Sequence, residues 1–553
     1  MKKHLLGAFI AAGLFVTTAA TAAVITPINR DAAGQGLNDP TPVGAVGGNY
    51  GTTIGQQRRI VYQFAADLWG AVLQSDVETR VAASFQPLTC NATSGVLGSA
   101  GAWWINRDFT DAPVAGIWYH AAVANAIAGE NLNAGPDYVA PDDIEISSRF
   151  NSNLGTPGCL EASGWYYGLD GKTPSGKINF LDVVMHEIGH GLGFQGFLDK
   201  TTGALYDADG AGAAEIPRSD TYTQFAYDNV EEKRFGDPTM TDALRALAMR
   251  TPGRLTWDGP AVTAAAPLAL SPLLRLGVTG TLTANYDIGT AAFGPAATVA
   301  NFNGDVVLAN DGSATPTQGC AASPAGAYTG KVVIIDRGTC AFEIKTVNAQ
   351  NAGATEVIIA NNAAGVIGMA EDATVVATIP AVMVSQADGN AIKAELPGVN
   401  AEIFVIAGQL AGSDPNGRAL LYAPVTVAPG STFSHYDISH SPNALQEPSI
   451  NSDLDSNFRV DLSPSLYKDI GWVLNTGNAT TRNGKCNTGV PVQVTPGLLP
   501  GANLQAADKL CRSTNVGNAL GYRSCVNGFV ARLETAGLIP SAQAPAIKVC
   551  TIR

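Results

Sequence analysis

A short segment with two histidines four positions apart constrains this chain more than any other feature. Between Ile178 and Leu192 the apolar residues recur at helical spacing, and they are Leu181, Val184, Met185, Ile188 and Leu192. Asn179 stands where a helix N-cap is expected, and Gly191 and Gly193 follow at the other end. The pattern therefore predicts an amphipathic helix that is capped at its start and ended by glycine.

The polar face of this predicted helix carries the run His186-Glu187-Ile188-Gly189-His190. Residues four apart project from the same face of a helix, so His186 and His190 can share one ion, and imidazole nitrogen suits zinc. Glu187 lies beside that ion, where it can act as a general base toward water. A chance match of five residues is the competing explanation, and the amphipathic setting disfavours it.

The run continues to Gly193 and so resembles the HExxHxxG motif of the metzincin zinc peptidases, in which this glycine turns the chain back toward the metal. The short-spaced third histidine of that family is absent, because its position is Gly196. In the leishmanolysin-like branch the third histidine follows a long insertion. Residues 433–437 resemble the segment that bears it, and the resemblance implies that His435 is the third zinc ligand.

Two further segments support this resemblance. Residues 443–448 are similar to the Met-containing turn that follows the third ligand, although Gln446 replaces the methionine beneath the metal. Residues 461–472 look like the closing helix of such catalytic domains. Because the methionine is a hydrophobic floor and not a ligand, its loss is compatible with zinc binding.

Other residues compete for the same roles. His440 is a rival third ligand, since a small shift of the alignment exchanges it with His435. A thermolysin-like site would instead use a downstream glutamate, and Glu215, Glu231 and Glu232 are available. The remaining histidine of the exported chain, His120, is interpreted as part of an aromatic cluster.

The region before the zinc-binding helix predicts an α+β domain. Apolar residues recur at helical spacing from Arg58 to Gln74, and residues 81–85 alternate as in a strand. Residues 144–150 also alternate, with one polar face. Metzincins place the edge strand that binds substrate here, so we expect residues 144–150 to be that edge or, alternatively, a plain surface strand.

A separate module is predicted at residues 266–406. The runs at residues 330–340, 348–354 and 379–382 resemble the protease-associated (PA) domain in this order. The resemblance implies a non-catalytic α/β insert that gates or recruits protein substrates. A stabilising insertion without a binding role is the alternative.

The N-terminus and the cysteines indicate export. Residues 1–23 carry lysines, an apolar stretch and small residues, as a secretory signal does. The eight cysteines then meet an oxidising compartment, which favours disulfides. The PA resemblance implies a Cys320–Cys340 bond, and Cys90 with Cys159 is the second predicted pair. The four tail cysteines can pair among themselves in three ways, and they are Cys486, Cys511, Cys525 and Cys550.

These observations predict a metzincin-like α+β catalytic domain interrupted by the PA insert and followed by a small disulfide-stapled C-terminal domain. The predicted boundaries are a signal peptide at 1–23, the catalytic domain at 24–265 and 407–475, the insert at 266–406, and the Cys-rich C-terminal region at 476–553. The net charge of −14 argues against nucleic-acid or membrane-surface binding, and no later apolar run predicts a membrane anchor.

The expected function is a secreted zinc endopeptidase that acts on protein or peptide substrates, with one Zn²⁺ and Glu187 as general base. Two alternatives come from other classes: a catalytically weakened metzincin-fold protein that binds partners through its PA domain, and a zinc amidase of cell-wall material. Calcium is a further possible ion, because Asp207, Asp209 and Glu215 have a spacing somewhat like a calcium loop. An acidic surface loop is the preferred interpretation of that segment.

Overall fold

The computed structural model describes residues 21–133, 143–206, 217–372, 374–451, 453–482 and 484–552. The predicted signal segment lies outside the described residues except for its last three positions, and so does the acidic loop with Asp207, Asp209 and Glu215. Ala23 is buried, and its N–H donates to the Leu73 carbonyl at 2.9 Å, so Ala23 belongs to the folded unit. Within the described ranges, no helix combines the length and the apolar character that crossing a membrane requires.

The N-terminal part contains the elements that build the candidate site. Its helices are α1 (Ile54–Val72), α2 (Ala121–Ala128), α3 (Phe180–Gly191), α4 (Asp242–Ala248) and α5 (Pro260–Ala269). Its strands are β1 (Ile25–Asn29), β2 (Leu73–Gln74), β3 (Thr79–Gln86), β4 (Gly98–Ala102), β5 (Ile105–Asn106), β6 (Tyr119–His120), β7 (Ile146–Asn151), β8 (Trp165–Tyr166), β9 (Ile178–Asn179), β10 (Ala226–Asp228), β11 (Lys233–Arg234) and β12 (Leu255–Trp257).

The main sheet of this part has the strand order β1-β3-β7-β4. β7 pairs in parallel with β3 on one side and antiparallel with β4 on the other. The prediction that residues 144–150 form the edge strand is therefore wrong: this strand is internal, and β4 lies at the edge. Alternation along a strand reveals which side chains share a face, but it does not reveal how many neighbours the strand has.

The insert, defined here as residues 272–410, forms its own sheet. Its strands are β13 (Pro272–Gly280), β14 (Ala284–Tyr286), β15 (Gly289–Thr290), β16 (Asn303–Leu308), β17 (Val332–Asp336), β18 (Glu356–Ala360), β19 (Ala381–Val384) and β20 (Val399–Leu410), with helices α6 (Phe342–Asn351) and α7 (Gln386–Ala394). Within its described residues the strand order is β14-β13-β20-β16-β17-β18-β19-β15. Two clusters of buried apolar residues lie within the insert, and they are separate from the main core.

The insert leaves and rejoins the rest of the chain at one place. The Ala411 N–H donates to the Ser271 carbonyl at 2.9 Å, so the two ends of the insert lie side by side. The chain after the insert then returns to the main core, where the Leu421 N–H donates to the Leu255 carbonyl at 3.0 Å. A long insertion of this kind adds little closure entropy to the fold.

The C-terminal part contains β21 (Val473–Leu474), β22 (Asn478–Thr481), β23 (Cys486–Pro491), α8 (Ser463–Asp469), α9 (Pro500–Thr514), α10 (Ala519–Thr535) and α11 (Ala544–Cys550). Its buried residues belong to the same apolar cluster as α1 and α3. Phe529 stacks on Phe64 with ring centroids 5.6 Å apart, and Lys509 pairs with the mostly buried Asp67 at 2.7 Å. The prediction of a separate small C-terminal domain is therefore wrong, since this region completes the main core.

All eight cysteines are in disulfides. The pairs are Cys90–Cys159, Cys320–Cys340, Cys486–Cys550 and Cys511–Cys525. The presence of disulfides agrees with the prediction from the cysteine count. The two tail pairs are one of the three connectivities that the spacing left open.

Candidate metal centre

Helix α3 presents His186 and His190 from the predicted helical segment. Asn179 caps the helix by accepting from the Leu181 N–H at 3.0 Å, as its position in the sequence indicates. The apolar stripe of α3 is buried in the main core. The Trp69 indole N–H donates to the Met185 carbonyl at 3.0 Å and ties the helix to α1. The histidine-bearing face is thereby held in one orientation.

His435 returns to this face from beyond the insert. Its Nε2 lies 3.3 Å from Nε2 of His186, and the Nε2 atoms of His186 and His190 are 3.0 Å apart. Candidate ligand nitrogens of the three rings all lie within 4.8 Å of one another. Three nitrogens at tetrahedral positions around zinc, each about 2.05 Å from it, are about 3.3 Å apart. The cluster therefore has the dimensions of a three-histidine zinc site.

The opposite nitrogen of each ring contacts a backbone carbonyl oxygen. Nδ1 of His186 is 2.7 Å from Leu445, Nδ1 of His190 is 2.8 Å from Phe194, and Nδ1 of His435 is 2.8 Å from Ser431. A carbonyl accepts only, so Nδ1 carries the proton in each ring and the Nε2 lone pair is free. All three lone pairs then point toward one position.

Burial keeps these imidazoles neutral. It lowers the pKa of His186 to about 4. The pKa values of His190 and His435 are well below the ordinary value, first through burial and then through repulsion from the neighbouring histidines. Neutral imidazole is the form that binds a metal, so the cluster needs no deprotonation at neutral pH.

A turn at Gly193 places the backbone carbonyl that contacts His190. Gly193 has a φ of +125°, and the reversal that it allows returns the Phe194 carbonyl to His190. A Cβ at Gly193 would overlap the Ile470 side chain. Gly196, where a short-spaced ligand would stand, packs so tightly on the Phe433 ring that a Cβ there would overlap it. The fold thus excludes a ligand at position 196.

The turn at residues 443–448 lies against helix α3. The Leu445 N–H donates to Asp461 at 2.6 Å, which fixes the carbonyl that contacts His186. The fully buried Gln446 donates its Nε2 hydrogen to the His186 carbonyl at 2.9 Å, and Tyr467 donates to the Gly189 carbonyl at 3.0 Å. Gln446 therefore supports the ligand helix through its backbone and does not reach the ligand nitrogens.

Glu187 lies between the histidines and the edge strand β4. Its side chain is buried, and burial raises the pKa of its carboxyl to about 8, although the Ala100 N–H donates to it. A Cβ at Gly98 would stand 2.5 Å from Glu187 Oε1, so the strand passes directly over the carboxyl. β4 was missed in the sequence because its residues Gly98–Ala102 are small and show no alternation.

The rival residues lie elsewhere. His440 stacks on Tyr436 with ring centroids 4.8 Å apart, and its Nε2 is 3.2 Å from the Leu420 carbonyl. Glu231 pairs with Arg254 at 3.3 Å, Glu232 lies on the exposed surface, and Glu215 is outside the described residues. His120 packs on Phe197 at 4.5 Å, in agreement with the aromatic interpretation. The geometry thus brings together His186, His190 and His435, and it leaves His440 and His120 apart.

Lys200 is a cation near the cluster that the sequence did not single out. Its charge contributes to the lowered pKa values of His190 and His435. Its Nζ is 3.4 Å from the Pro429 carbonyl, and no carboxylate of the described ranges forms an ion pair with it. Burial lowers the pKa of Lys200 to about 8. Such a cation suits an oxygen that gains negative charge.

Comparison with known proteins identifies the insert. Residues 302–392 match the family model described as the PA domain, which confirms the prediction of such a module. None of the curated proteins matches this chain.

Solved structures with detectable similarity include two aminopeptidases. The zinc aminopeptidase of Bacillus subtilis is 17% identical, with 27% of this chain and 37% of that chain covered and a TM-score of 0.18. The aminopeptidase of Aneurinibacillus sp. strain AM-1 is 19% identical, with 34% and 41% covered and a TM-score of 0.18.

A subtilisin-like protease, Apa1 of Pseudoalteromonas sp. AS-11, is 18% identical, with 25% of this chain and 34% of that chain covered and a TM-score of 0.19. This chain spans less than half the length of each of the three structures. Such low TM-scores support no inference about the catalytic part, and none of the three is a metzincin.

Proposed function

We propose that this protein is a zinc-dependent endopeptidase of the metzincin type, with His186, His190 and His435 as ligands and Glu187 as general base. The observation that carries the proposal is the convergence of three histidine Nε2 atoms whose Nδ1 atoms all contact backbone carbonyls. Three neutral nitrogens and one remaining coordination position are the donor set of a catalytic zinc.

The residues around the cluster fit hydrolysis of a peptide bond. Bound zinc acidifies water and polarises a carbonyl group. Glu187 lies beside the position of the ion, where its carboxylate can take the proton from the attacking water. Glu187 can then pass this proton to the departing amine. Lys200 adds positive charge near His190 and His435, which favours an oxygen on which negative charge develops.

The open edge of β4 favours extended peptides as substrates. Among the described strands, β4 pairs with β7 alone, so its other edge has no strand partner. Apart from the Ala100 N–H, which donates to Glu187, this edge can bind a peptide through main-chain hydrogen bonds. This edge runs beside Glu187, which places an added strand at the site of reaction. A long main-chain contact of this kind binds the interior of a peptide, and it therefore supports endopeptidase activity over removal of single terminal residues.

We further propose that the protein acts outside the cytoplasm and that its PA domain recruits protein substrates. Four disulfides fit an oxidising compartment. The insert joins the chain between the helix with two ligands and the segment with the third. A catalytically weakened binding protein is the second candidate, and the replacement of the methionine by Gln446 is the observation that favours it.

Hydrolysis of internally quenched peptides with both ends blocked distinguishes these candidates. We expect cleavage by the zinc-loaded protein, loss of cleavage with a zinc chelator, and recovery when zinc is restored. Glu161→Gln, an exposed glutamate, is the matched control for Glu187→Gln. Absence of cleavage by folded, zinc-loaded protein would favour the binding role, while cleavage of cell-wall material alone would favour the amidase.

A further inference from the structure

A group of buried polar atoms, some of them without a hydrogen-bond partner, lies near the beginning of helix α3. Asn457 and Asp182 are buried, and Asp455 is partly buried. The oxygens Asp455 Oδ1 and Asn457 Oδ1 are both inaccessible and have no hydrogen-bond partner. Buried polar atoms without partners are rare in folded proteins, and an ion or an ordered water accounts for many of them.

These two oxygens lie beside the same backbone position. A Cβ at Gly171 would overlap Asp455 Oδ1 and would stand 3.3 Å from Asn457 Oδ1, so both oxygens lie against this glycine. The orientation of the Asn457 amide is fixed, because its Nδ2 donates to the Leu169 carbonyl at 3.2 Å. Gly171 has a φ of +66° and leaves the space in front of the oxygens free of a side chain.

No cation forms an ion pair with the carboxyl groups around this point in the part of the chain that the structure describes. Burial and then repulsion from Asp182, with a smaller contribution from Asp170, raise the pKa of Asp455 to about 7, although Arg459 lowers it. Burial also raises the pKa of Asp182 to about 6. Among the described residues no ion pair joins a cation to either Asp455 or Asp182. An unpaired buried carboxylate is costly unless it binds a proton or a cation.

We propose that Asp455 and Asn457, with Asp182 beside them, form a binding site for a calcium ion at the base of the zinc-binding helix. The donors are a carboxylate and an amide carbonyl oxygen without nitrogen or sulfur ligands, and calcium prefers such oxygen donors. Calcium takes about six to eight oxygen ligands, so water molecules are expected to fill the remaining positions. The site shares no residue with the histidine cluster.

The position of this site gives it a structural consequence. Asp182 stands one helical turn before His186, and its Oδ1 accepts from the Ser456 N–H at 3.0 Å. An ion at Asp455 therefore holds residues 455–457 against the first turn of α3. Calcium binding stabilises the start of the helix that carries two of the three proposed zinc ligands.

The melting temperature of Asp455→Asn, measured without and with calcium, tests the site. Asp455 forms no side-chain hydrogen bond, so without calcium the substitution removes repulsion and leaves the melting temperature unchanged or higher. With calcium, the zinc-loaded parent is expected to gain several degrees, whereas the variant gains nothing. Asp453→Asn, an exposed carboxylate two positions away, is the matched control and keeps the gain.

Calorimetric titration with calcium chloride supplies the second readout. Both measurements are made in the Glu187→Gln background, so that self-digestion does not affect them. We expect one calcium ion per chain, with a Kd of about 10⁻⁴ to 10⁻³ M as in extracellular calcium modules, and at least a tenfold loss of affinity in Asp455→Asn. Absence of a calcium effect on the parent would show that the oxygens hold only water. An equal effect in Asp455→Asn would place the ion elsewhere, and either result overturns the proposal.

Discussion

Substitution of His435 and of His440 by alanine separates the proposed third ligand from its rival. His435 directs Nε2 at the other two ligand nitrogens, 3.3 Å from His186, while His440 contacts the Leu420 carbonyl. Both histidines are buried, so each substitution opens a cavity of similar size. The two variants therefore share the cost of a lost ring and differ in the predicted loss of a metal ligand.

The expected loss of zinc affinity follows from the number of ligands. Zinc sites with four protein ligands bind with about 10 to 16 kcal/mol, so one ligand contributes about 2.5 to 4 kcal/mol. At about 1.4 kcal/mol per factor of ten, His435→Ala should weaken zinc binding by about sixtyfold to a thousandfold. His440→Ala should lower the free energy of unfolding by about 2 to 4 kcal/mol and keep its zinc.

Competition with a chromophoric zinc chelator measures the affinity, and circular dichroism verifies that each variant is folded. His440→Phe keeps the ring that stacks on Tyr436 and replaces His440→Ala if that variant does not fold. Zinc affinity within threefold of the parent in folded His435→Ala would refute the ligand assignment. Loss of zinc from folded His440→Ala would exchange the two residues.

Three further predictions concern other parts of the molecule. Glu187→Gln should lower peptide hydrolysis by about a hundredfold to ten-thousandfold, as expected for loss of a general base, and metal analysis should find zinc retained; turnover near the parental rate contradicts the assigned role. His120 is buried, and burial lowers its pKa to about 3, so below pH 6.5 this histidine binds a proton in the unfolded chain but not in the folded one. The free energy of unfolding therefore decreases as the pH falls from 6.5 toward 3. His120→Phe should thus lessen the acid-induced loss by about 2 kcal/mol at pH 5, measured by thermal unfolding at pH 7 and pH 5, and equal pH dependence contradicts this. Replacement of Cys90 and Cys159 by serine opens a loop with a sequence separation of 69 and should cost about 4 kcal/mol of unfolding free energy in denaturant titrations. Non-reducing peptide mapping of the parent protein should recover the four pairs, and a shifted pairing contradicts the fold.

Helix α3 could be predicted from the sequence because its determinants are local. The apolar stripe, the Asn179 cap and the spacing of the histidines all lie within one segment, and the observed helix Phe180–Gly191 follows them. The position of His435 beside this helix came from resemblance to a family. Helical periodicity carries no information about a residue more than two hundred positions away.

The rest of the site depends on long-range contacts. The carbonyl groups that fix the histidine rings belong to the backbone of Leu445, Phe194 and Ser431, so no residue type marks them. β4 escaped prediction because Gly98–Ala102 lacks the alternation of a half-buried strand. The C-terminal region was predicted as a separate domain because its cysteines are local, whereas its packing on α1 is visible only in the fold.

Anomalous diffraction at the zinc absorption edge, from crystals of the zinc-loaded protein, tests the central assignment most directly. We expect a strong anomalous peak about 2.1 Å from Nε2 of His186, His190 and His435, with Glu187 outside the set of ligands. No peak at the histidine cluster, or a peak whose third protein ligand is a residue other than His435, would contradict it.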